Sequence, residues 1–238
     1  MIISVGTAGW GIPREVAEHF PSDGSGLSRY ASLFSVAEIN SSFHRAHQLS
    51  TWQRWHDAVP DAFRFSVKVP KLITHTHKLI DVAELLDDFV AQAGVLGDKL
   101  AILLVQLPPK LEFDHATARR FFEQLAERSD AAIACEPRHP SWFTPAADAL
   151  LEQFRVARVA ADPAICDVAA VPGGWAGLAY WRLHGSPVIY RSSYRDRIAD
   201  YASKLQAGPA DDVWCIFDNT AASAGAGDAV AMLKQLRS

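Results

Sequence analysis

Seven ionisable residues in this chain carry, by type and spacing, the means for acid/base work and anion binding: Glu38, Lys68, Glu136, Arg138, Asp162, Arg182 and His184. Each lies at or just beyond the end of a short apolar run, as in Val36-Ala37-Glu38, Ser66-Val67-Lys68, Ala134-Cys135-Glu136, Ala160-Ala161-Asp162 and Trp181-Arg182-Leu183-His184. A carboxylate beside an imidazole, or beside a second carboxyl of raised pKa, supplies a general base and a general acid. Glu38 or Glu136 is therefore the candidate base and His184 the candidate acid, with Lys68 among the catalytic candidates. The planar forks of Arg138 and Arg182 suit a carboxylate or phosphate, and a lysine adds a point charge.

Glu38, Glu136, Asp162 and Asp218 are nearly balanced by Lys68, Arg138 and Arg182. A metal cage gathers carboxylates and histidines without so many competing cations, so no metal ligand and no cofactor is assigned. A metal-assisted hydrolase or isomerase using Glu38, Glu136, Asp162 and His184 stays as a secondary reading. Neighbouring carboxylates favour the charged form of Lys68, which opposes a Schiff-base role for it.

These residues need elements that bring them to one place. Short aliphatic or β-branched runs occur at residues 2–6, 35–40, 63–69, 101–107, 131–136, 156–162, 178–184 and 213–218, and read as eight strands. Helical patterns lie between most of them: Val82, Leu85, Leu86, Phe89, Val90 and Ala93 share one face, as do Ala118, Phe121, Phe122 and Leu125, and more briefly Leu27, Tyr30, Ala31 and Phe34. Ser50 with Gln53 spells a capping box, and Thr144 before Pro145 a cap with a first-turn proline. Pro163 to Trp175 shows no helical face, which predicts an irregular connection after strand six.

Strands alternating with helices imply parallel pairing, and a count near eight favours a single (β/α)8 barrel of TIM type over a doubly wound open sheet. Gly6, Gly9 and Gly11 do not match a dinucleotide-binding glycine pattern, so the open sheet is second. Side chains alternate across a strand: Glu38 shares a face with Val36 and Asn40, Lys68 with Ser66, Glu136 with Ala134 and Arg138, and Arg182 with His184. An unpaired charge beneath helices is costly, so these groups face the barrel interior at its C-terminal mouth. Asn40, Gln106, Asp162 and Asn219 fall at the same strand ends and join the candidate ligand contacts.

Trp10, Phe43, Trp142 and Tyr190 fall in loops at that end, where rings either stack on a base or sugar or cap the core. Large rings are most often buried, which favours capping. Trp10 and Trp142 nevertheless remain candidate ligand contacts, and His75 either caps a helix or meets the ligand. Cys135 and Cys215 read as packing.

At 238 residues, 49% hydrophobic, the chain can bury one substantial core, which a disordered reading does not allow. A net charge of -4 gives no global attraction to phosphate backbones, so binding of nucleotides or single-stranded nucleic acid is possible but not favoured. Three dispersed cysteines without a C-x-x-C pair, no apolar stretch near the roughly 20 residues that cross a bilayer, and no signal-like start suggest a cytoplasmic protein. Oligomeric state is not legible.

The chain resembles the YecE-like family, known as domain of unknown function 72, over nearly its whole length. The resemblance rests on Gly6-Thr7-Ala8-Gly9-Trp10, Glu38-Ile39-Asn40-Ser41-Ser42-Phe43, Phe65-Ser66-Val67-Lys68-Val69-Pro70 with Ile73-Thr74-His75, and Gln106-Leu107-Pro108-Pro109. It continues through Glu136-Pro137-Arg138-His139-Pro140-Ser141-Trp142, Tyr180-Trp181-Arg182-Leu183-His184-Gly185 and Phe217-Asp218-Asn219. It implies a TIM-type barrel and no assigned reaction. Lys68, Glu136, Arg138, His184 and Asn219 match the family pattern, whereas Ala8, His44, Pro137 and Asp218 stand where serine, tyrosine, phenylalanine and asparagine are more usual. The expectation is metal-independent hydrolase or lyase chemistry on a small anionic or sugar-like substrate.

Overall fold

The computed structural model describes residues 1–237. Its strands are β1 (Ile2–Thr7), β2 (Val36–Ile39), β3 (Arg64–Lys68), β4 (Leu100–Gln106), β5 (Ala132–Glu136), β6 (Val156–Arg158), β7 (Ala160–Asp162), β8 (Gly173–Gly174), β9 (Leu178–Leu183) and β10 (Asp212–Phe217). The α-helices are α1 (Gly26–Tyr30), α2 (Ser41–His44), α3 (Leu49–Asp57), α4 (Ala83–Ala93), α5 (His115–Ala126), α6 (Pro145–Gln153), α7 (Ile198–Ala207) and α8 (Ala224–Arg237). This is an α/β fold with parallel sheets.

The ladder is not continuous. One sheet runs β1-β10-β9-β7 and the other β2-β3-β4-β5-β6-β8, rather than the single closed ring of eight expected from the sequence. The expected sixth strand is divided: Val156–Arg158 pairs with β5, and after Val159 the same chain pairs with β9 as Ala160–Asp162. At the other junction, Ala8 forms a lone parallel bridge to Glu38, and its neighbour Gly9 donates its N–H to the Glu38 carbonyl at 2.8 Å. Ala8 meanwhile donates to the Phe217 carbonyl at 3.0 Å, so the end of β1 touches both sheets.

Strand alternation divides the core in two. Val5, Ala37, Ile39, Phe65, Val67, Leu103, Val105, Cys135, Trp181, Leu183, Cys215 and Phe217 pack against the helices. The residues between them, Val36, Ile102, Leu104, Ala134, Ala157, Val159, Leu178, Tyr180, Trp214 and Ile216, form a second cluster that draws on both sheets and contains no helix residue. Each of these side chains stands on the opposite face from its chain neighbours, as period-2 geometry requires.

On the outer layer, α4 buries Leu86, Phe89 and Ala93, and α5 buries Ala118, Phe121, Phe122 and Leu125, the faces their spacing predicted. Asp114 and Thr144 cap α5 and α6 by accepting from the N–H of Thr117 and Ala147. The Ser50–Gln53 box is not used: α3 starts at Leu49 behind Gln48, so Ser50 lies inside the first turn, where its hydroxyl is not placed to cap. Pro163 to Trp175 holds a 3-10 turn (Asp167–Ala170) and the two-residue β8, which pairs antiparallel with β6, in place of a crossover helix.

No helix among the described residues is long and apolar enough to cross a membrane. The approach of β1 to β2 depends on Gly6, where an added Cβ would collide with the Val36 carbonyl. Gly6→Ala should lower the unfolding free energy by about 2–4 kcal/mol through forced backbone displacement, measured as a shift in the urea midpoint at unchanged slope.

Candidate functional site

Continuing the alternation past the interior cluster places the polar groups. On β2, Val36 faces inward and so does Glu38; on β5, Ala134 is followed by Glu136; on β9, Leu178 and Tyr180 are followed by Arg182 and then His184; on β10, Ile216 is followed by Asp218. The C-terminal ends of these parallel strands therefore converge on one cluster drawn from both sheets.

Arg182, fully buried, is its centre. Its Nε and Nη2 donate to the two oxygens of Glu38 at 3.0 and 2.7 Å, in the bidentate geometry that guanidinium and carboxylate share. Nη1 donates to Glu136 Oε2, and Nη2 also donates to Asp218 Oδ2 at 2.9 Å. Tyr180 donates its hydroxyl to Glu38 Oε2 at 2.8 Å, and the Ser66 hydroxyl lies 2.9 Å from the Tyr180 oxygen. Glu38 is thus held by three hydrogen bonds from two side chains.

His184 lies above this layer between two acceptors, with Nδ1 2.9 Å from Asp218 Oδ2 and Nε2 3.0 Å from Glu136 Oε1. A ring facing a carboxylate at each nitrogen is satisfied only as the doubly protonated imidazolium. Burial opposes that charge, but the adjacent Glu136 and the bonds from Asp218 and Glu136 outweigh burial and Arg182, and the His184 pKa is raised. Burial likewise pushes Glu136 up, yet Arg182, His184 and Arg138 overcome it and hold the carboxyl well below the usual range. Asp218 is lowered against its own burial by Arg182 and His184. All three carboxylates are engaged by cations, which leaves few lone pairs for a metal ion.

Two further cations lie toward solvent. Arg138 donates from Nε and Nη2 to Glu136 Oε1 at 3.1 and 2.9 Å, and its Nη1 has no protein acceptor among the described residues. Lys68, 8% exposed, has its ammonium 4.2 Å from the centre of the Phe43 ring and, among the described residues, makes no hydrogen bond or ion pair. Burial, followed by the charge of Arg182, depresses the Lys68 pKa to about 8 despite Glu38, Glu136 and Asp218. The carboxylates favour the charged form of this lysine, as the sequence led one to expect, but desolvation is the larger effect. His75, which accepts or donates at Nδ1 with Thr74 Oγ1 at 2.8 Å, packs edge-on to Phe43, and its pKa is lowered by burial and by Lys68, Lys71 and Arg138.

A family model described as "Protein of unknown function DUF72" matches residues 4–238. The chain belongs to the DUF72 family. Similar curated proteins are UPF0759 protein YunF of Bacillus subtilis (strain 168), 26% identical over 151 residues that cover 60% of this chain and 53% of YunF. UPF0759 protein YecE of Escherichia coli (strain K12) is 26% identical over 143 residues, 60% of this chain and 50% of YecE. The chain spans about half the length of the curated relatives it matches. Crystal structures of DUF72 family proteins from Enterococcus faecalis V583 and Thermotoga maritima MSB8 superpose with TM-scores of 0.82 and 0.80. Their identities are 21% and 20%; both cover 100% of this chain, which covers 96% and 100% of theirs. At that identity the likeness is one of fold.

Within this DUF72 chain, Glu38, Lys68, Glu136, Arg138, Arg182 and His184 share one end, and Asn40 reaches Asp218 Oδ1 with its Nδ2 at 3.4 Å. The Asn40 Oδ1 is buried without a hydrogen-bond partner among the described residues. Gln106, on the face of Ile102 and Leu104, joins the same end and makes no side-chain hydrogen bond among the described residues.

Four predicted ligand contacts lie elsewhere. Asp162 has the parity of Ala160, which packs outward, and pairs with Arg197 at 3.2 Å; Ala161 takes the inward position. Asn219 donates to Ser192 O at 2.9 Å and Asp228 Oδ2 at 2.6 Å, and so ties the end of β10 to α8. Trp142 is buried with its Nε1 donating to Leu111 O at 2.9 Å, and Trp10 packs edge-on against Trp55 and Phe65. Both rings cap the outer core.

Tyr180 and Ser66 belong to the network although their types and spacing alone do not mark them as site residues, and Asp218, counted among the acidic groups of the mouth, proves to be a direct partner of Arg182 and His184. Tyr180 and Asp218 were recoverable from parity, since they stand two residues before Arg182 and two after Ile216.

A raised folded-state pKa means that the His184 contribution to stability is complete below the unfolded value of about 6.5 and is lost as pH rises through the folded value. Glu136 and Asp218, both lowered, contribute above about pH 4 and lose that contribution as pH falls through their folded values. His184→Gln should lack the alkaline decline and be less stable at pH 6 by about 2–4 kcal/mol, as read from urea midpoints between pH 6 and 9. Arg182→Met, which leaves three carboxylates facing one another, should cost about 3–5 kcal/mol at pH 7 and recover part of it at pH 4.

Proposed function

We propose that the two parallel sheets are halves of one (β/α)8 barrel forming a single domain, and that its C-terminal mouth binds a small oxyanion for metal-independent acid/base chemistry of hydrolase or lyase type. Supporting the barrel are the interior cluster shared by both sheets, the continuous chain through β6 and β7, and the Ala8–Glu38 bridge.

The observation that carries the functional reading is Lys68. Its side chain is largely buried, and its ammonium, set against the Phe43 ring, makes no hydrogen bond or ion pair among the described residues; a cation so far desolvated and unpaired is unfavourable, and a network serving stability alone has no reason to include one. A carboxylate or phosphate between Lys68 and the free edge of Arg138 relieves that cost. The Asn40 Oδ1 and the Gln106 amide supply hydrogen bonds to substrate hydroxyls.

The proton-transfer role moves from Glu136 to Lys68. Glu136 is too strongly held in its ionised form to be an effective base near neutrality, and both nitrogens of His184 are already committed to carboxylates. A group titrating at about 8 exchanges a proton readily near pH 7. Glu38, Glu136, Arg182, His184 and Asp218 then act as positioning residues that fix Arg138 and the charge around Lys68.

Calorimetric titration with inorganic phosphate tests this. Wild type should bind, Arg138→Gln should lose at least tenfold in affinity, and Lys68→Met should lose binding while its unliganded form gains about 1 kcal/mol of stability. A Lys68→Met protein that binds phosphate as wild type does would refute the assignment. Affinity should also weaken as pH passes about 8 in wild type and hold in Lys68→Arg.

A further inference from the structure

Beside Arg138 lies a cavity of about 170 Å³ between the strand ends and the loops that follow Asp162 and His184. Its polar wall is Glu136, Arg138 and His184; the rest is apolar, including Phe143, Val159, Ala161, Ile165 and Ile189. The Glu136 and His184 atoms are taken up by each other, Arg182 and Asp218, so the Arg138 fork is the polar group with a donor to spare.

Ile165 and Ile189 are each about half exposed although they line this cavity, at 48% and 47%. Val188 and Tyr190 continue the exposed apolar surface along the second loop. A single exposed aliphatic residue is ordinary, but here two loops present theirs to the same concavity. Water filling such a space needs two to four polar partners per molecule, roughly, which these walls do not supply.

We infer that this cavity receives the apolar body of an amphipathic oxyanion, an alkyl or aryl phosphate or carboxylate whose charged head lies at Arg138 and Lys68. The inference rests on the anion-site reading above and adds to it the substrate class and two specificity-determining residues, Ile165 and Ile189. Each methylene that leaves water for these walls is worth roughly a fourfold gain in affinity, until the space is filled.

The experiment is a calorimetric series of inorganic phosphate, methyl phosphate, butyl phosphate and phenyl phosphate. Butyl and phenyl phosphate should bind at least tenfold more tightly than inorganic phosphate. The loop double variant Ile165→Ser/Ile189→Ser should lose that gain while its affinity for inorganic phosphate stays within twofold of wild type. Ala161→Leu, which fills the cavity from the strand, should do the same.

Equal affinity across the series, with phosphate binding still abolished by Arg138→Gln, overturns this inference and leaves the anion site standing. Failure of every compound, inorganic phosphate included, overturns the anion site and this inference with it.

Discussion

A guanidinium with no access to solvent needs an arrangement of negative charge around it, and Arg182 obtains one from three different strands. Glu38 comes from one sheet with Glu136, while Asp218 and Arg182 itself come from the other. The hydrogen bonds of this one side chain therefore join both sheets at their C-terminal ends. Hydrophobic contact alone is indifferent to small sliding of one sheet on another; four directional hydrogen bonds to three fixed carboxylates are not. The same network accounts for the order of the site: it holds Glu136, which holds Arg138, and it holds Asp218, which with Glu136 holds His184.

Charge is layered rather than merely balanced. At the bottom, carboxylates and cations satisfy one another and are nearly closed to solvent. Toward the surface, Lys68 and the outer edge of Arg138 are cations left over, beside the aromatic rings of Phe43 and Tyr190. The inner layer supplies rigidity, and the outer layer carries the unsatisfied charge on which the proposed anion binding rests.

Much of the site was legible because strand periodicity is strict. Once Val36, Ala134 and Tyr180 are taken as inward, Glu38, Glu136 and Arg182 must be inward too, and the sequence places all three near strand ends. The same rule turns Asp162 away from the cluster, since it shares parity with Ala160; lying at a strand end is not enough when the face also matters. Trp10, Trp142 and Asn219 were misplaced for a different reason. They follow the strands in loops, where side-chain direction has no period, and each found a partner that only the folded chain brings near: Trp55, Leu111 and Asp228.

By itself the sequence determined the alternation of strands and helices, the apolar faces of α4 and α5, the Thr144 cap, the irregular connection after strand six, the family, and the end of the strands at which charge collects. These follow from local spacing, which backbone geometry converts directly into direction. Only the tertiary structure decided that the ladder is carried by two sheets, with the sixth segment changing partners at Val159. It alone decided that Arg182 is the shared hub, and that burial outweighs nearby carboxylates in lowering Lys68. Those outcomes depend on distances between residues well separated along the chain and on how much water is excluded around them, and neither quantity exists until the chain has packed.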